Sequence, residues 1–158
     1  GGRDVAVALS RVAERRAVFL SRGDDSGTHK AELRLWRAAG LDPATFRGGW
    51  YRETGAGMGA TLNTAAQMPG HVLSDRGTWL SFRNRNELAL LVEGDPKLRN
   101  EYGIIAVNPA RHPHVNVAGA EALIAWIRSR AGRDAIAAFR VHGEPLFFPM
   151  EPTDRATR

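Results

Sequence analysis

The sequence predicts an α/β fold in which a mixed sheet is flanked by helices. Short apolar runs typical of buried strands alternate with longer segments whose apolar residues recur at helical spacing. Short loops rich in glycine connect them. With 158 residues, of which 43% are hydrophobic, the chain has the size of one domain and enough apolar side chains for a core. We therefore expect a single α/β domain over residues 1–158.

The first half of the chain is predicted to begin with a helix and a strand. Apolar residues at helical spacing predict an amphipathic helix over residues 4–16, and the apolar run 18–21 predicts a strand. Asp25 or Ser26 can cap the next helix, which continues to about Ala39. The later elements of this half are an extended segment at 50–52, a helix at about 60–67 and a strand at 71–74.

The second half is predicted to alternate in the same way. Its elements are a helical turn at 79–82, strands at 88–93 and 102–108, helices at about 119–130 and 133–141, and an extended segment at 145–148. If the strands are parallel, the loops that leave their carboxyl ends lie on one edge of the sheet, where ligands bind in such folds.

The charge pattern argues against a nucleic-acid-binding protein. The formal net charge is +5, but the basic excess is three in residues 1–50, one in 51–100 and one in 101–158. A nucleic-acid footprint concentrates its lysines and arginines on one face or arm, so no such partner is expected. The chain has no cysteine, which excludes disulfides and thiol catalysis.

The loop between the first predicted strand and the second helix carries the most informative motif. Residues 21–29 read SRGDDSGTH. The N–H groups of a helix's first turn lack internal partners and lie at the positive end of the helix dipole. The hydroxyls of Ser21, Ser26 and Thr28 and the guanidinium of Arg22 add further donors. The motif predicts an oxyanion receptor, in which one aspartate caps the helix and the other holds Arg22.

Other candidate sites carry weaker signals. Loops at 55–59 and 75–78 repeat the glycine-then-helix pattern and can share the same edge of the sheet. His112 and His114 have the spacing of a metal pair but no third ligand nearby, so no metal site is expected. Ser26 and His29 are three residues apart and cannot be aligned as a catalytic relay, so no catalytic residue is expected and a hydrolase is the weakest reading.

The string at 21–29 resembles the signature of tungstate-binding proteins of ABC transporters, which are related to the molybdate and phosphate binders. The similarity continues over nearly the whole chain. Its longest strings are TGAGMGATL at 54–62, LSDRGT at 73–78 and LVEGDP at 91–96. The resemblance implies a lobe like that of type II periplasmic binding proteins. It also implies that the anion is faced by Ser21, Arg22, Ser26, Gly27 and Thr28.

The same resemblance implies a transport role without a cofactor. The expected function is an extracytoplasmic solute receptor, periplasmic or extracellular and membrane-associated, that delivers tungstate or a similar tetrahedral oxyanion to an ABC permease. Family members have two lobes, so we expect residues of about 17–108 to form the second lobe's core. Residues of about 109–158 would return toward a missing N-terminal lobe that supplies half of the donors. Helices near 119–141 would then expose apolar residues that favour a homodimer.

Two alternatives stay open from the sequence. Phosphate binders share a related loop, so a phosphate or molybdate receptor fits the motif as well. The positive net charge leaves a basic nucleic-acid-binding or regulatory domain on the receptor fold.

Overall fold

The computed structural model describes residues 2–150, which divide into two compact units between Asn100 and Glu101. We expected one domain with a lobe core ending near residue 108. That partition into a lobe core and a returning segment stays a prediction. The polar C-terminal tail, residues 151–158, lies outside the described residues.

The first unit contains four helices, three strands and two short 3-10 turns. In chain order these are α1 (Val5–Glu14), β1 (Phe19–Ser21), α2 (Gly27–Ala38), a turn at Pro43–Phe46, β2 (Tyr51–Glu53), α3 (Met58–Ala66), β3 (His71–Val72), α4 (Arg76–Ser81) and a turn at Pro96–Leu98. The predicted helices and the first three strands are confirmed within a few residues at their ends.

The three strands form one parallel sheet in the order β2–β1–β3. Phe19 of β1 pairs with Tyr51 on one side and with His71 on the other. Because all three strands run in the same direction, the loops that follow them leave from a single edge. This edge is where the sequence placed the glycine loops.

An aromatic cluster holds the helices against the sheet. Trp36 and Tyr51 are completely buried. The ring of Phe19 stacks on Tyr51 at 5.9 Å and meets Trp36 edge-on at 5.1 Å. Val5, Leu9 and Val12, the apolar stripe of α1, complete the buried cluster. Burial of such large rings supplies most of the favourable free energy in a core of this kind.

The start of α1 is joined to a distant turn. Asp4 caps the helix through the N–H of Val7 at 3.0 Å. The buried carboxylate of Asp95 accepts a second bond from the N–H of Val5 at 2.8 Å. This backbone hydrogen bond is the main reason that the pKa of Asp95 lies below its usual value.

Two predicted strands are not strands in the structure. Of residues 88–93, only Val92 forms a bridge, with Gly2, and residues 102–108 have no regular structure. Strands require a hydrogen-bonded neighbour along their length, and within residues 2–150 Gly2 alone pairs with the first segment while the second forms no bridge. Most of their apolar side chains are consequently exposed, and Ile105 is 88% exposed, whereas Val92 is partly buried against the core.

The second unit consists of a helix pair and a hairpin. These are α5 (Val117–Arg128), α6 (Arg130–Ala138), β4 (Arg140–Val141) and β5 (Glu144–Pro145). Ser129 ends α5 and caps α6 by accepting the N–H of Gly132 at 3.1 Å. Gly132 packs so closely on the Trp126 carbonyl that a Cβ atom would overlap it. Among the described residues, no helix combines the length and apolar character needed to cross a membrane.

Candidate anion-binding site

The loop between β1 and α2, residues 22–26, is the centre of the candidate site and is called the anion loop below. Ser26 caps α2, because its hydroxyl oxygen accepts the N–H of His29 at 3.3 Å. The N–H groups of Gly27 and Thr28 have no acceptor among residues 2–150. The positive end of α2 therefore presents two unused donors at the sheet edge.

Arg22 and Asp24 form an ion pair within this loop. Arg22 Nη2 lies 2.5 Å and Nε 3.1 Å from Asp24 Oδ2. Hydrogen bonding by the Ser26 side chain, and then by Arg22, lowers the pKa of Asp24 to about 2. Asp24 is thus the aspartate that holds Arg22, as the sequence predicted for one of the pair. Asp25 instead faces Lys30 at the surface, 3.2 Å from its Nζ.

Ser21 lies beneath the loop rather than on its surface. The residue is completely buried, and its hydroxyl donates to Glu32 Oε2 at 2.7 Å. The same oxygen accepts the N–H of Gly23 at 3.2 Å. The only hydroxyl proton of Ser21 is therefore directed at the core, and its contact with an anion stays a prediction.

Glu32 is the centre of a buried network that the sequence analysis did not identify. Besides Ser21, the Tyr51 hydroxyl donates to Oε1 at 2.7 Å and the Trp36 indole N–H at 3.1 Å. Burial raises the pKa of Glu32, while these three hydrogen bonds oppose the shift. A glutamate on the apolar face of α2, one turn before a buried tryptophan, is the signal that could have revealed it.

His29 contacts the other end of the anion loop. Its Nδ1 accepts the N–H of Asp25 at 3.0 Å. Because an accepting Nδ1 carries no proton, the neutral ring carries its proton on Nε2, which is buried and has no partner in the described part of the chain. His29 does not contact the Ser26 hydroxyl through its ring, so Ser26, His29 and Asp25 form no catalytic relay here.

The loop after β2 lies directly beside the anion loop. The N–H of Thr54 donates to the Ser21 carbonyl at 2.9 Å, and its hydroxyl lies 2.8 Å from that of Thr61 in α3. A Cβ on Gly23 would lie 2.6 Å from Glu53 Cβ. The carboxyl ends of β1 and β2 are therefore packed against each other with no spare room.

The histidine pair of the second unit shows no metal-site geometry. The rings of His112 and His114 are 6.2 Å apart and nearly perpendicular. Within residues 2–150, no group of three or more potential metal ligands comes together.

Comparison with known proteins gives consistent matches. The family model described as "PBP superfamily domain" matches residues 5–131. A tungstate-binding protein, TupA, of Peptoclostridium acidaminophilum is 41% identical over 148 residues, covering 92% of this chain and 51% of the relative. The chain spans about half the length of the curated relatives it matches.

Solved structures match over most of the chain. The tungstate-binding protein TupA from Desulfovibrio alaskensis G20 aligns with a TM-score of 0.83 and 41% identity, covering 95% of this chain and 61% of that one. The structure described as the tungstate ABC transporter from Geobacter sulfurreducens aligns with a TM-score of 0.72 and 42% identity, covering 85% and 56%.

Proposed function

Because this chain belongs to the PBP superfamily, we propose that it is the anion-binding lobe of a solute receptor that takes up tungstate for an ABC importer. The observation that carries the proposal is the start of α2, where the unused N–H groups of Gly27 and Thr28 come directly after the short loop that contains Arg22. The similarity to tungstate-binding proteins supports the choice of anion.

The donors fit the chemistry of the ligand. Tungstate at neutral pH is a fully deprotonated dianion whose four oxygens only accept hydrogen bonds, so a suitable site is built from donors. Arg22 supplies a charged fork that Asp24 holds in one orientation, and α2 supplies N–H groups at its positive end. In this proposal Arg22, Ser26, Gly27 and Thr28 contact the oxyanion, and Ser21 contributes from beneath.

Several wider features of the proposal follow from the family. The relatives are about twice as long, so we propose that a first lobe completes the donor set and that an ABC permease receives the anion. The receptor would then act outside the cytoplasmic membrane, in the periplasm or attached to the outer surface. It needs no cofactor and catalyses no reaction.

Isothermal titration calorimetry on the full-length protein tests this function. Tungstate, molybdate, sulfate and phosphate are titrated separately, and tungstate is expected to bind most tightly. Arg22→Ala is expected to weaken binding by about 10- to 100-fold, because a hydrogen bond to a charged group contributes about 1.5–3 kcal/mol. Arg37→Ala, at the exposed far end of α2, removes the same charge and should leave the affinity unchanged. Absence of binding to all four anions, or equal affinity for Arg22→Ala, would overturn the proposal.

We also propose that the α5–α6 face associates with a second copy. Leu123, Trp126 and Phe139 are each about half exposed, at 52%, 51% and 53%. Sedimentation velocity over a concentration series should show a monomer–dimer equilibrium that Trp126→Asp shifts toward monomer. A single monomeric species at high concentration would exclude this association.

A further inference from the structure

We propose that Glu32 and His29, neither of them a predicted anion contact, are positioning residues that fix the two ends of the anion loop for binding. Both lie on the buried face of α2, and their relative exposures are 3% and 8%. The inference rests on the proposed oxyanion function of the loop between them.

Glu32 fixes the beginning of the loop through Ser21. Its Oε2 accepts the Ser21 hydroxyl at 2.7 Å, and the Ser21 oxygen accepts the Gly23 N–H at 3.2 Å. With its proton directed at a buried carboxylate, the Ser21 hydroxyl has its lone pairs free for Gly23. The core of the unit thus determines where the backbone turns toward Arg22.

His29 fixes the end of the loop in an arrangement like a capping box. Ser26 accepts the backbone N–H of His29 at 3.3 Å, and His29 Nδ1 accepts the N–H of Asp25 at 3.0 Å. A conventional capping box uses glutamate or glutamine at this third helical position. His29 stands at that position but accepts the N–H of Asp25, the residue before the cap, and only its Nε2–H tautomer can do so.

The two residues held in this way are the left-handed ones of the loop, and of the two only Asp25, which has a side chain, is strained by that conformation. Gly23 and Asp25 have φ values of +60° and +57°, in the left-handed region. For a residue with a side chain, this conformation costs about 1–2 kcal/mol and persists only where surrounding contacts enforce it. The Gly23 N–H is bonded to the Ser21 hydroxyl and the Asp25 N–H to the His29 ring, so the bonds hold the backbone on both sides of Asp24, the residue that pairs with Arg22.

Substitutions of His29 test which of its two ring nitrogens is needed for binding. In the full-length protein, His29→Asn places an amide oxygen near the Nδ1 position, so its tungstate Kd should stay within about threefold of the unmodified protein. His29→Gln reaches the Nε2 position instead, and His29→Leu provides no acceptor. Both should weaken binding by about tenfold, since each loses the Asp25 bond. Retained affinity in His29→Gln with loss in His29→Asn would overturn the positioning role, as would equal affinity in all three.

The Tyr51→Phe variant is the matched control for substitution of Glu32. Tyr51→Phe removes a hydrogen bond to Oε1 of the same carboxylate and leaves the Ser21 bond to Oε2 in place. In Glu32→Gln, the amide oxygen best replaces Oε1, which serves two donors, so the amino group faces Ser21 and the Ser21 hydroxyl loses its acceptor. The Ser21 oxygen then takes the amino group as a second donor beside the Gly23 N–H, which reorients the hydroxyl that holds the loop. Tyr51→Phe should lower the melting temperature with an unchanged Kd, whereas Glu32→Gln should weaken tungstate binding by about tenfold.

Amide hydrogen exchange distinguishes positioning from general stability. Exchange at Gly23 should accelerate in Glu32→Gln, and exchange at Asp25 should accelerate in His29→Leu, each more than in Tyr51→Phe. Equal Kd values and equal exchange across the variants would refute the inference while the unmodified protein still binds tungstate. Failure of the unmodified protein to bind any oxyanion would instead refute the proposed function.

Discussion

The two glycine loops that follow β1 and β2 share a left-handed glycine but have different surroundings. Each follows a parallel strand, contains a left-handed glycine and leads into a helix: Gly23 has φ +60° before α2, and Gly55 has φ +62° before α3. The anion loop is held by buried side chains and capped by Ser26. The loop at 54–57 reaches its helix through Gly57, which makes no side-chain cap.

This difference separates the loop proposed to bind the anion from its neighbour. A glycine turn before a helix exposes N–H donors in both places, so donors alone do not separate the two loops. Only the anion loop adds a fixed arginine and bonds its two left-handed residues, Gly23 and Asp25, to buried side chains. The loop at 54–57 instead supports its neighbour, through Thr54 and the Ser21 carbonyl.

The largest expected difference between the loops comes from alanine at the two left-handed glycines. Gly23→Ala adds the strain of a positive φ to a clash with Glu53 Cβ, so the free energy of unfolding should fall by about 2–4 kcal/mol. Gly55→Ala faces open space and should lose only about 1 kcal/mol. Urea denaturation of both variants measures the difference. Equal losses would mean that the close contact between Gly23 and Glu53 of β2 does not affect the free energy of unfolding.

A smaller effect is expected from exchanging the helix caps. Ser26→Ala removes the bond to the His29 N–H and should cost about 1 kcal/mol. Gly57→Ser places a capping hydroxyl at the start of α3 and should stabilise by a few tenths of a kcal/mol, about the gap between Ser and Gly at this position. Thermal denaturation compares the two variants. A higher melting temperature in Ser26→Ala would show that Ser26 does not cap α2 more effectively than Gly57 caps α3.

The smallest expected effect is on the pH dependence of stability, to which the anion loop contributes through Asp24, whereas residues 54–57 have no titratable side chain. The folded pKa of Asp24 is about 2, below its usual 3.8, so its contribution is complete above the usual value and declines as pH falls toward 2. The pKa of Glu32 is raised, so its contribution declines as pH rises through its folded pKa.

Urea midpoints recorded from pH 2 to pH 7 check both signs. Asp24→Asn should reduce the loss of stability that occurs as the pH falls toward 2. Glu32→Gln should reduce the loss of stability that occurs as the pH rises through the folded pKa of Glu32. An acid side that is unchanged in Asp24→Asn would show that the hydrogen bonds of Asp24 with Ser26 and Arg22 do not stabilise the fold.

The sequence predicts the local features of this molecule well. The stripe of α1, the cap at Ser26 and the pairing of Arg22 with one aspartate depend on residues close together in the chain. The buried network does not, because Glu32 and Tyr51 are 19 residues apart and meet only when β2 pairs with β1. His29 likewise appears as a candidate base in the sequence, whereas its ring accepts a backbone N–H in the structure.

The failed strand predictions have a related cause. Residues 102–108 have the composition of a strand, with Ile104, Ile105 and Val107 close together. Composition reports a side chain's preference for a pleated, half-buried surface, but a strand also needs a neighbouring strand to bond with. Within the described residues no such neighbour lies beside residues 102–108, so they do not form a strand despite this preference.

The bond between Asp95 and Val5 has a consequence for the folding kinetics of the first unit. It joins residues 90 positions apart, so the capped start of α1 can be completed only after most of the unit's chain has been brought together. The parallel pairing of β1 with β2 and β3 closes shorter stretches and can form earlier. We therefore expect the Asp95 contact to form on the native side of the folding barrier. Its removal should accelerate unfolding while leaving the refolding rate nearly unchanged.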